Sequence, residues 1–334
     1  MSGVGATPIV VVSTVVLALH ASSQSNLTTT AIDAGRSFGF TQAELQRIRD
    51  GVVITKDSKE GSEKELAGVV AIFFETRLTV LADLLLEGEM VKTDPDVRMF
   101  DRWKPGQAND GMFTGLELEA SESNEANFFL QAAPSDRLNL AAVEIQSFRL
   151  VHSRQAVNEE LGKMLRNRYE AYRAKGLKGV LPYAHQEQSI ASVGKELAMA
   201  ITETTSLARV PGYSQALLNY PADSLSDMQH RFFAYKQEVD DRPAFILSHR
   251  AGILRQQEAL ITEQRYYVSH TYDCRFIASH CFEVPGGVLL FYCNRTFTDK
   301  VGGFGSGLKH SIGRKRMLSD VASSLKTFRE RVHH

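Results

Sequence analysis

The sequence contains few cysteines, few prolines and no surplus of either charge. Of its 334 residues 3 are cysteine and 9 are proline, and 38 lysines and arginines stand against 39 aspartates and glutamates. This balance excludes a chain-wide basic field, so no nucleic-acid partner is expected. With 43% hydrophobic and 23% charged residues, a collagen-like, low-complexity or wholly disordered chain is also excluded. The length predicts one large domain or two intimate ones.

The three cysteines lie close together at Cys274, Cys281 and Cys293. Their spacing matches no zinc motif, and we expect neither a metal nor a cofactor. Buried free thiols are the favoured state. In an oxidising compartment, a disulfide with one thiol left over is the alternative. The strand register derived below puts Cys281 and Cys293 on opposite faces, which disfavours a bond between those two.

One long apolar run occurs, at residues 8–21. It is shorter than the roughly 20 residues of a transmembrane helix, and small residues follow it. We therefore predict a signal peptide at 1–21, a polar linker at 22–40 and a periplasmic or secreted protein. The alternative is a buried first strand, because valine and isoleucine dominate the run. No later run reaches about 18 apolar residues, so we expect a soluble mature protein.

Nucleotide-binding and hydrolase motifs are also missing. The segment GGFGSGLK at 302–309 is rich in glycine, but no serine or threonine follows its lysine, so it is not a P-loop. It also lacks the spacing of a Gly-x-Ser-x-Gly elbow. A hinge between two elements is the better interpretation of this segment.

The pattern of apolar residues predicts an α+β fold. It combines an antiparallel sheet, a long C-terminal helix and a helical middle region. We expect a single domain at 41–334 with the helical insertion at about 130–235. The expected helices are a capping-box helix from Thr41 to Gly51, 76–87, 154–175, 193–207, one beginning near Ser226 and 319–332. The expected strands are 52–56, 66–74, a short one at Phe113–Leu118, 243–256, 260–273, 275–283 and 287–297.

The last two strands form a hairpin whose register can be derived. Pro285 and Gly286 suit the centre of a type II turn, which pairs Val284 with Gly287. Side chains alternate between faces, so the more apolar face, expected to point inward, also carries His280 and Arg295. Burying these groups without partners costs roughly 1–3 kcal/mol each. They are therefore either satisfied core groups or the polar anchors of a cavity.

Three segments resemble an uncharacterised family of exported bacterial proteins with a START-like domain. They are YVSHTYD at 267–273, YCNRTFTD at 292–299 and GGFGSGLKHSI at 302–312. The resemblance implies a helix-grip fold, in which a curved antiparallel sheet wraps a long C-terminal helix. It also implies that a lipid or another apolar molecule lies between the sheet and that helix.

The sequence therefore predicts an exported protein that binds an apolar small molecule or lipid. The expected ligand-binding residues are Phe276, His280, Phe282, Leu289, Phe291, Arg295, Phe297 and Phe328. The same aromatic residues would also serve a solid core.

Two other functions stay open at this point. One is an enzyme acting on an apolar or polyketide-like molecule in the same cavity, with His270, Tyr272, Asp273 and His280 as the first catalytic suspects. The other is a protein-interaction scaffold without a ligand. Whatever the function, Arg314, Lys315 and Arg316 could contact an anionic membrane surface, unless they form a solvated helix face or pair with acidic residues of the chain.

Overall fold

The computed structural model describes residues 27–102, 113, 115–186, 190–302 and 306–332. The predicted signal peptide and residues 303–305 of the glycine-rich segment lie outside the described residues. The described chain is α+β, with a large antiparallel sheet and a C-terminal helix packed on it. Among the described helices, none combines the length and the apolar character that a membrane span requires.

Ten α-helices are present in the described chain. They are α1 (Thr29–Ser37), α2 (Gln42–Arg49), α3 (Leu78–Leu86), α4 (Glu89–Lys92), α5 (Ser123–Leu130), α6 (Ala142–Phe148), α7 (Arg154–Lys175), α8 (Val193–Glu203), α9 (Tyr213–Leu218) and α10 (Ser306–Val332). The middle region is thus helical from α5 to α9.

The strands form one large sheet and one short hairpin. They are β1 (Ile54–Asp57), β2 (Glu65–Phe74), β3 (Val97–Arg102), β4 (Tyr183–Ala184), β5 (Ile190–Ala191), β6 (Gln229–Val239), β7 (Arg242–Leu254), β8 (Glu258–Val268), β9 (Cys274–Val284) and β10 (Gly287–Phe297). The eight-stranded sheet has the order β1-β2-β10-β9-β8-β7-β6-β3, and β4 pairs with β5. Its neighbours pair antiparallel throughout.

Helices cover both faces of the sheet. One face packs against α1, α2 and the helices of the middle region in a large apolar core. The other face packs against α3 and α10 in a second core. Because side chains alternate along a strand, the two cores divide the residues of each strand between them. This two-sided burial explains why β2 is buried at every position.

Helix α10 lies against β2 and the neighbouring strands. Its buried apolar side chains are Met317, Leu318, Leu325 and Phe328, and the Phe328 ring meets the ring of Phe74 edge-on at a centroid distance of 5.8 Å. Gly68 of β2 allows the close approach, because a Cβ there would lie 2.7 Å from a methyl carbon of Leu318. The C-terminal helix is therefore closely packed on the sheet.

Several local predictions are confirmed. Thr41 and Glu44 form the capping box at the start of α2, and Gly176 ends α7. Val284 pairs with Gly287, and Gly286 has a φ of 88° in the turn between them. The three cysteines are free and buried.

Other predictions are wrong. The helix expected from Ser226 is strand β6, whose Phe233 and Tyr235 face a third apolar cluster while Phe232 and Ala234 face the large core. Strand β6 also begins inside the segment at about 130–235 where a helical insertion was expected. The polar linker ends in helix α1, because Ala31 and Ala34 pack into the large core.

Two further differences concern the segment between α4 and α5. Strand β3 was not predicted, because as an edge strand it has mostly half-buried side chains and shows little alternation. The strand expected from Phe113 to Leu118 is absent among the residues described there.

We expect Phe328→Ala to lower the free energy of unfolding by about 3–5 kcal/mol, because it leaves a cavity beside Phe74. Urea denaturation measures this loss. Lys326→Ala, an exposed change on the same helix, should stay within about 0.5 kcal/mol of the parent protein. Equal effects of the two substitutions would contradict the packing of α10 on the sheet.

Candidate functional site

A cavity of about 640 Å³ lies between the sheet and α10. This volume is in the range of small-molecule sites. The strands contribute its floor, α10 and α4 contribute walls, and the loop after α4 and the turn after β6 lie at its edge. Its lining includes Met90, Val91, Asp94, Asp96, Glu238, Asp240, Arg250, Ile261, Glu263, Arg265, Tyr272, Arg275, Ile277, Ser279, Tyr292, Thr296, Lys300, Arg316, Met317, Asp320, Val321 and Ser324.

The floor of the cavity carries four charged side chains from three adjacent strands. Arg250 of β7 stands directly opposite Glu263 of β8, and Arg265 of β8 stands directly opposite Arg275 of β9. Alternation along the strands brings all four to the face that α10 covers. Like charges directly opposite each other destabilise a sheet. The Arg265–Arg275 pair therefore needs negative charge nearby.

Glu263 supplies part of that negative charge. Its two carboxylate oxygens accept hydrogen bonds from Arg250 Nη2 at 2.6 Å and from Arg265 Nε at 2.9 Å. Burial alone would raise the pKa of Glu263, but the two guanidinium groups outweigh burial and hold that pKa at about 2. Arg250 also donates to the Leu85 carbonyl oxygen. Glu263 is therefore a fixed anion between two arginines.

Arg275 is bound differently. Its Nε donates to Thr296 Oγ1 at 3.1 Å, and its guanidinium lies 4.7 Å from the centre of the Tyr272 ring. Tyr272 Oη in turn accepts a hydrogen bond from Arg265 Nη1 at 3.1 Å. Within the described chain, no carboxylate lies at ion-pair distance from Arg275. Three guanidinium groups and one carboxylate thus leave the floor with an excess of positive charge.

The rest of the cavity has apolar walls and a polar edge. Met317 and Val321 of α10, with Ile261 and Ile277 of the sheet, give the cavity apolar surface, and α10 also contributes the polar side chains of Arg316, Asp320 and Ser324. At the edge, Lys300 Nζ and Asp240 Oδ2 form an ion pair at 2.9 Å. The cavity therefore combines an apolar volume with a cationic floor.

The predicted ligand-binding residues are divided between the two faces of the sheet. Phe276, Phe282, Leu289, Phe291 and Phe297 lie in the large core on the side of the middle helices. Phe328 lies in the opposite core, under α10. The sequence analysis expects only the more apolar face of the last hairpin to point inward. Both faces are buried, so the predicted set does not meet in one cavity.

The two predicted anchors are core groups on the face away from the cavity. Arg295 Nη1 donates to Glu65 Oε1 at 2.6 Å, and the other two guanidinium nitrogens donate to Thr204 Oγ1 and the Glu203 carbonyl oxygen. His280 lies between aromatic rings, edge-on to Phe38 at 5.5 Å. Its Nε2 has no hydrogen-bond partner in the described chain. Burial lowers the pKa of His280 to about 3, and Arg209 adds to this effect.

The four candidate catalytic residues lie in different surroundings. Tyr272 lines the cavity, whereas the ring nitrogens of His270 contact Thr271 Oγ1 and the Pro243 carbonyl oxygen. Asp273 faces away from the cavity, and burial together with nearby carboxylates raises its pKa to about 8. Across the described residues, no hydrogen bond joins the side chains of two of these four.

The basic cluster near the start of α10 is partly neutralised. Arg314 Nη1 donates to Glu60 Oε1 at 2.7 Å, and Arg314 Nε lies 3.2 Å from Asp57 Oδ2. Lys315 and Arg316 are exposed. Contact of these two with an anionic membrane stays a prediction.

Sequence reasoning missed the charged floor of the cavity. The sequence feature that could have revealed it is the presence of Arg250, Glu263 and Arg265 inside strands whose other residues are mostly apolar. A charged side chain there has to be paired or has to line a cavity. Arg275 lies on the opposite face of the sheet from Phe276, as the alternation of side chains along β9 requires.

Comparisons with protein-family models, with curated proteins and with solved structures found no match to this chain.

We expect Glu65→Leu to lower the free energy of unfolding by about 3–5 kcal/mol, because it leaves the Arg295 guanidinium buried without its anion. The double variant Glu65→Leu/Arg295→Met should recover most of this loss. Chemical denaturation of the single and double variants measures the coupling. Additive losses would contradict an ion pair between these two residues.

We expect the stability of His280→Leu relative to the parent protein to increase as the pH falls. The unfolded chain binds a proton at His280 near pH 6.5, whereas the folded chain does so only near pH 3. The parent protein therefore loses stability through this histidine below pH 6.5, by roughly 2 kcal/mol at pH 5, and the variant does not. Urea denaturation at pH 7 and pH 5 measures the difference, and a constant difference would contradict a neutral buried imidazole.

Proposed function

We propose that this chain binds an amphipathic small molecule or lipid that carries an anionic group. The ligand lies between the sheet and α10, with its anionic group on the floor of the cavity and its apolar part against α10. The volume of about 640 Å³ and the covering helix support a binding cavity rather than a solid core.

Arg275 is the observation that carries the proposal. Its guanidinium borders the cavity, stands directly opposite Arg265 and has no carboxylate partner among the described residues. A carboxylate, sulfonate or phosphate on the floor would accept charge-assisted hydrogen bonds from Arg275. It would also relieve the repulsion between the two arginines. An anionic group is therefore the polar end that this floor favours.

The apolar walls are the evidence that part of the ligand is apolar. Apolar surface beside the arginines comes from Val321 and Met317 on α10 and from Ile261 and Ile277 on the sheet. Burial of a chain or ring there contributes roughly 25 cal/mol for each Å² of apolar area. A wholly polar anion would leave this surface unused, so the arrangement favours an amphipathic molecule.

Binding is favoured over catalysis by the ionisation states of the floor. A general acid or base works best with a pKa near the working pH. Two arginines hold the pKa of Glu263 at about 2, so this carboxylate stays ionised and does not exchange protons at neutral pH. Tyr272 is already an acceptor for Arg265. These groups are suited to hold a charge in place.

The START-like interpretation and export belong to the same proposal. An antiparallel sheet packed on a C-terminal helix, with a cavity between them, is the geometry that the resemblance at 267–273 and 292–312 implies. Export rests on the apolar run at 8–21. Intact-mass measurement of the protein from its own host tests export, since a chain that begins after about residue 21 is the expected result.

We expect Arg275→Gln to weaken binding of 8-anilinonaphthalene-1-sulfonate by about 10- to 100-fold, because it removes a charge-assisted contact with the sulfonate. Binding of N-phenyl-1-naphthylamine, which lacks the sulfonate, should be nearly unchanged. Fluorescence titration of the full chain measures both affinities. Arg36→Gln, the same exchange on an exposed residue of α1, is the matched control and should behave as the parent protein.

Val321→Trp provides a second control, because an indole at this position projects into the cavity and occupies part of its apolar space. It should weaken binding of both probes, whereas Lys326→Trp on the exposed side of α10 should leave both intact. The proposal is overturned if both probes bind Val321→Trp as they bind the parent protein. Equal loss of both probes in a folded Arg275→Gln protein would refute the anionic site.

A further inference from the structure

A second group of polar side chains lies outside the cavity, where three separate segments meet. His185 follows β4, Asp299 begins a 3₁₀ turn after β10, and Asp136 lies between α5 and α6. One ligand atom from each of the three lies within 4.8 Å of the others. His185 Nδ1 is 2.6 Å from Asp299 Oδ2 and 3.9 Å from Asp136 Oδ1.

Two buried polar atoms beside this group have no hydrogen-bond partner in the part of the chain that the structure describes. They are Nε2 of His185 and Oδ2 of Asp273. Both side chains are nearly inaccessible, with 3% and 4% exposure, and His185 Nε2 is 3.9 Å from Asp273 Oδ1. An unsatisfied buried polar atom costs roughly 1–3 kcal/mol. The His185 imidazole and the Asp273 carboxylate thus lie near each other without a hydrogen bond between them, which indicates an arrangement that a further group completes.

We propose that Asp136, His185 and Asp299 bind a divalent first-row transition-metal ion of the zinc or manganese class. The ion binds His185 through Nδ1 and the two aspartates through carboxylate oxygens, and water completes its coordination. One imidazole and two carboxylates are ligands that these ions accept. This site is separate from the proposed ligand cavity and does not depend on it.

The geometry gives Asp273 a role in the same site. Two ligand atoms on one ion are about 3 Å apart, so an ion between Nδ1 and Asp299 widens the present 2.6 Å gap. This displacement carries the imidazole toward Asp273. Metal at Nδ1 also fixes the proton on Nε2, which can then donate to Asp273 Oδ1. A carboxylate that receives the second N–H of a metal-bound histidine orients the ring. Asp273 is thus a positioning residue.

The segments that bring these side chains together are held by main-chain hydrogen bonds. Ala184 N donates to the Leu140 carbonyl oxygen at 2.8 Å, and Asp273 N donates to the Phe297 carbonyl oxygen at 2.7 Å. Such a frame lowers the ordering cost of binding an ion. Lys64 contacts Asp299 and is the cation that the metal has to displace. Because Lys64 is 40% exposed, its ammonium can move into solvent.

The sequence predicts no metal site, because metal-binding motifs are recognised in a sequence by the short spacing between their ligands. Asp136, His185 and Asp299 belong to distant segments, and no short motif connects them. Cysteine, the residue type that drew attention to zinc, does not take part.

Calorimetric titration of the full chain with ZnCl₂ and with MnCl₂, after dialysis against a chelator, tests the proposal. We expect one ion per chain. Asp136→Asn, on a side chain that is 64% exposed, should weaken binding at least tenfold without loss of fold. His185→Gln should abolish binding. The matched control is His152→Gln, which changes an exposed histidine outside the group and should leave binding unchanged.

Each result decides the proposal. Absence of stoichiometric binding of either ion by the parent protein overturns it. Binding that Asp136→Asn leaves unchanged also overturns it, even if His185→Gln fails to fold. Asp273→Asn should weaken binding less than Asp136→Asn, as expected for a residue that acts through His185. The cavity variant Arg275→Gln should bind the ion as the parent protein does, so failure of either proposal is distinguishable from failure of the other.

Discussion

Helices cover both faces of the eight-stranded sheet, and this two-sided burial constrains every charged side chain on the central strands. Little of a side chain there reaches bulk water, so its charge has to be paired or has to border a cavity. On the side of the middle helices, Arg295 meets Glu65 and is satisfied. On the side of α10, Glu263 lies between two arginines, and a third arginine borders an open volume.

The difference between the two faces follows from what covers them. Helices α1 and α2 and the middle helices cover β9 and β10 with aromatic and aliphatic side chains, which form one large apolar core. On the other face, α10 packs closely over β2 but leaves a volume over β7, β8 and β9. The charged residues lie beneath that volume. An arginine pair such as Arg265 and Arg275 is tolerable there, because water or an anion can offset its repulsion.

The turn between β8 and β9 connects the two proposed sites. Tyr272 borders the cavity and bonds with Arg265, while Asp273, the next residue, faces His185 on the other side. Thr298 Oγ1 donates to the Thr271 carbonyl oxygen and joins this turn to the end of β10. Neighbouring residues of one turn thus serve two different polar environments.

The sequence by itself determined the elements whose signals are local. The capping box at Thr41, the end of α7 at Gly176 and the register of the last hairpin depend on residues close in the chain, so they could be predicted. The sequence did not determine which face of the sheet α10 covers. Alternation of side chains along a strand separates two faces but does not say what packs on each. Only the tertiary structure brought Glu65 to Arg295 and Asp299 to His185. Residues distant in sequence share no local pattern, and only the packed fold decides which of them are neighbours.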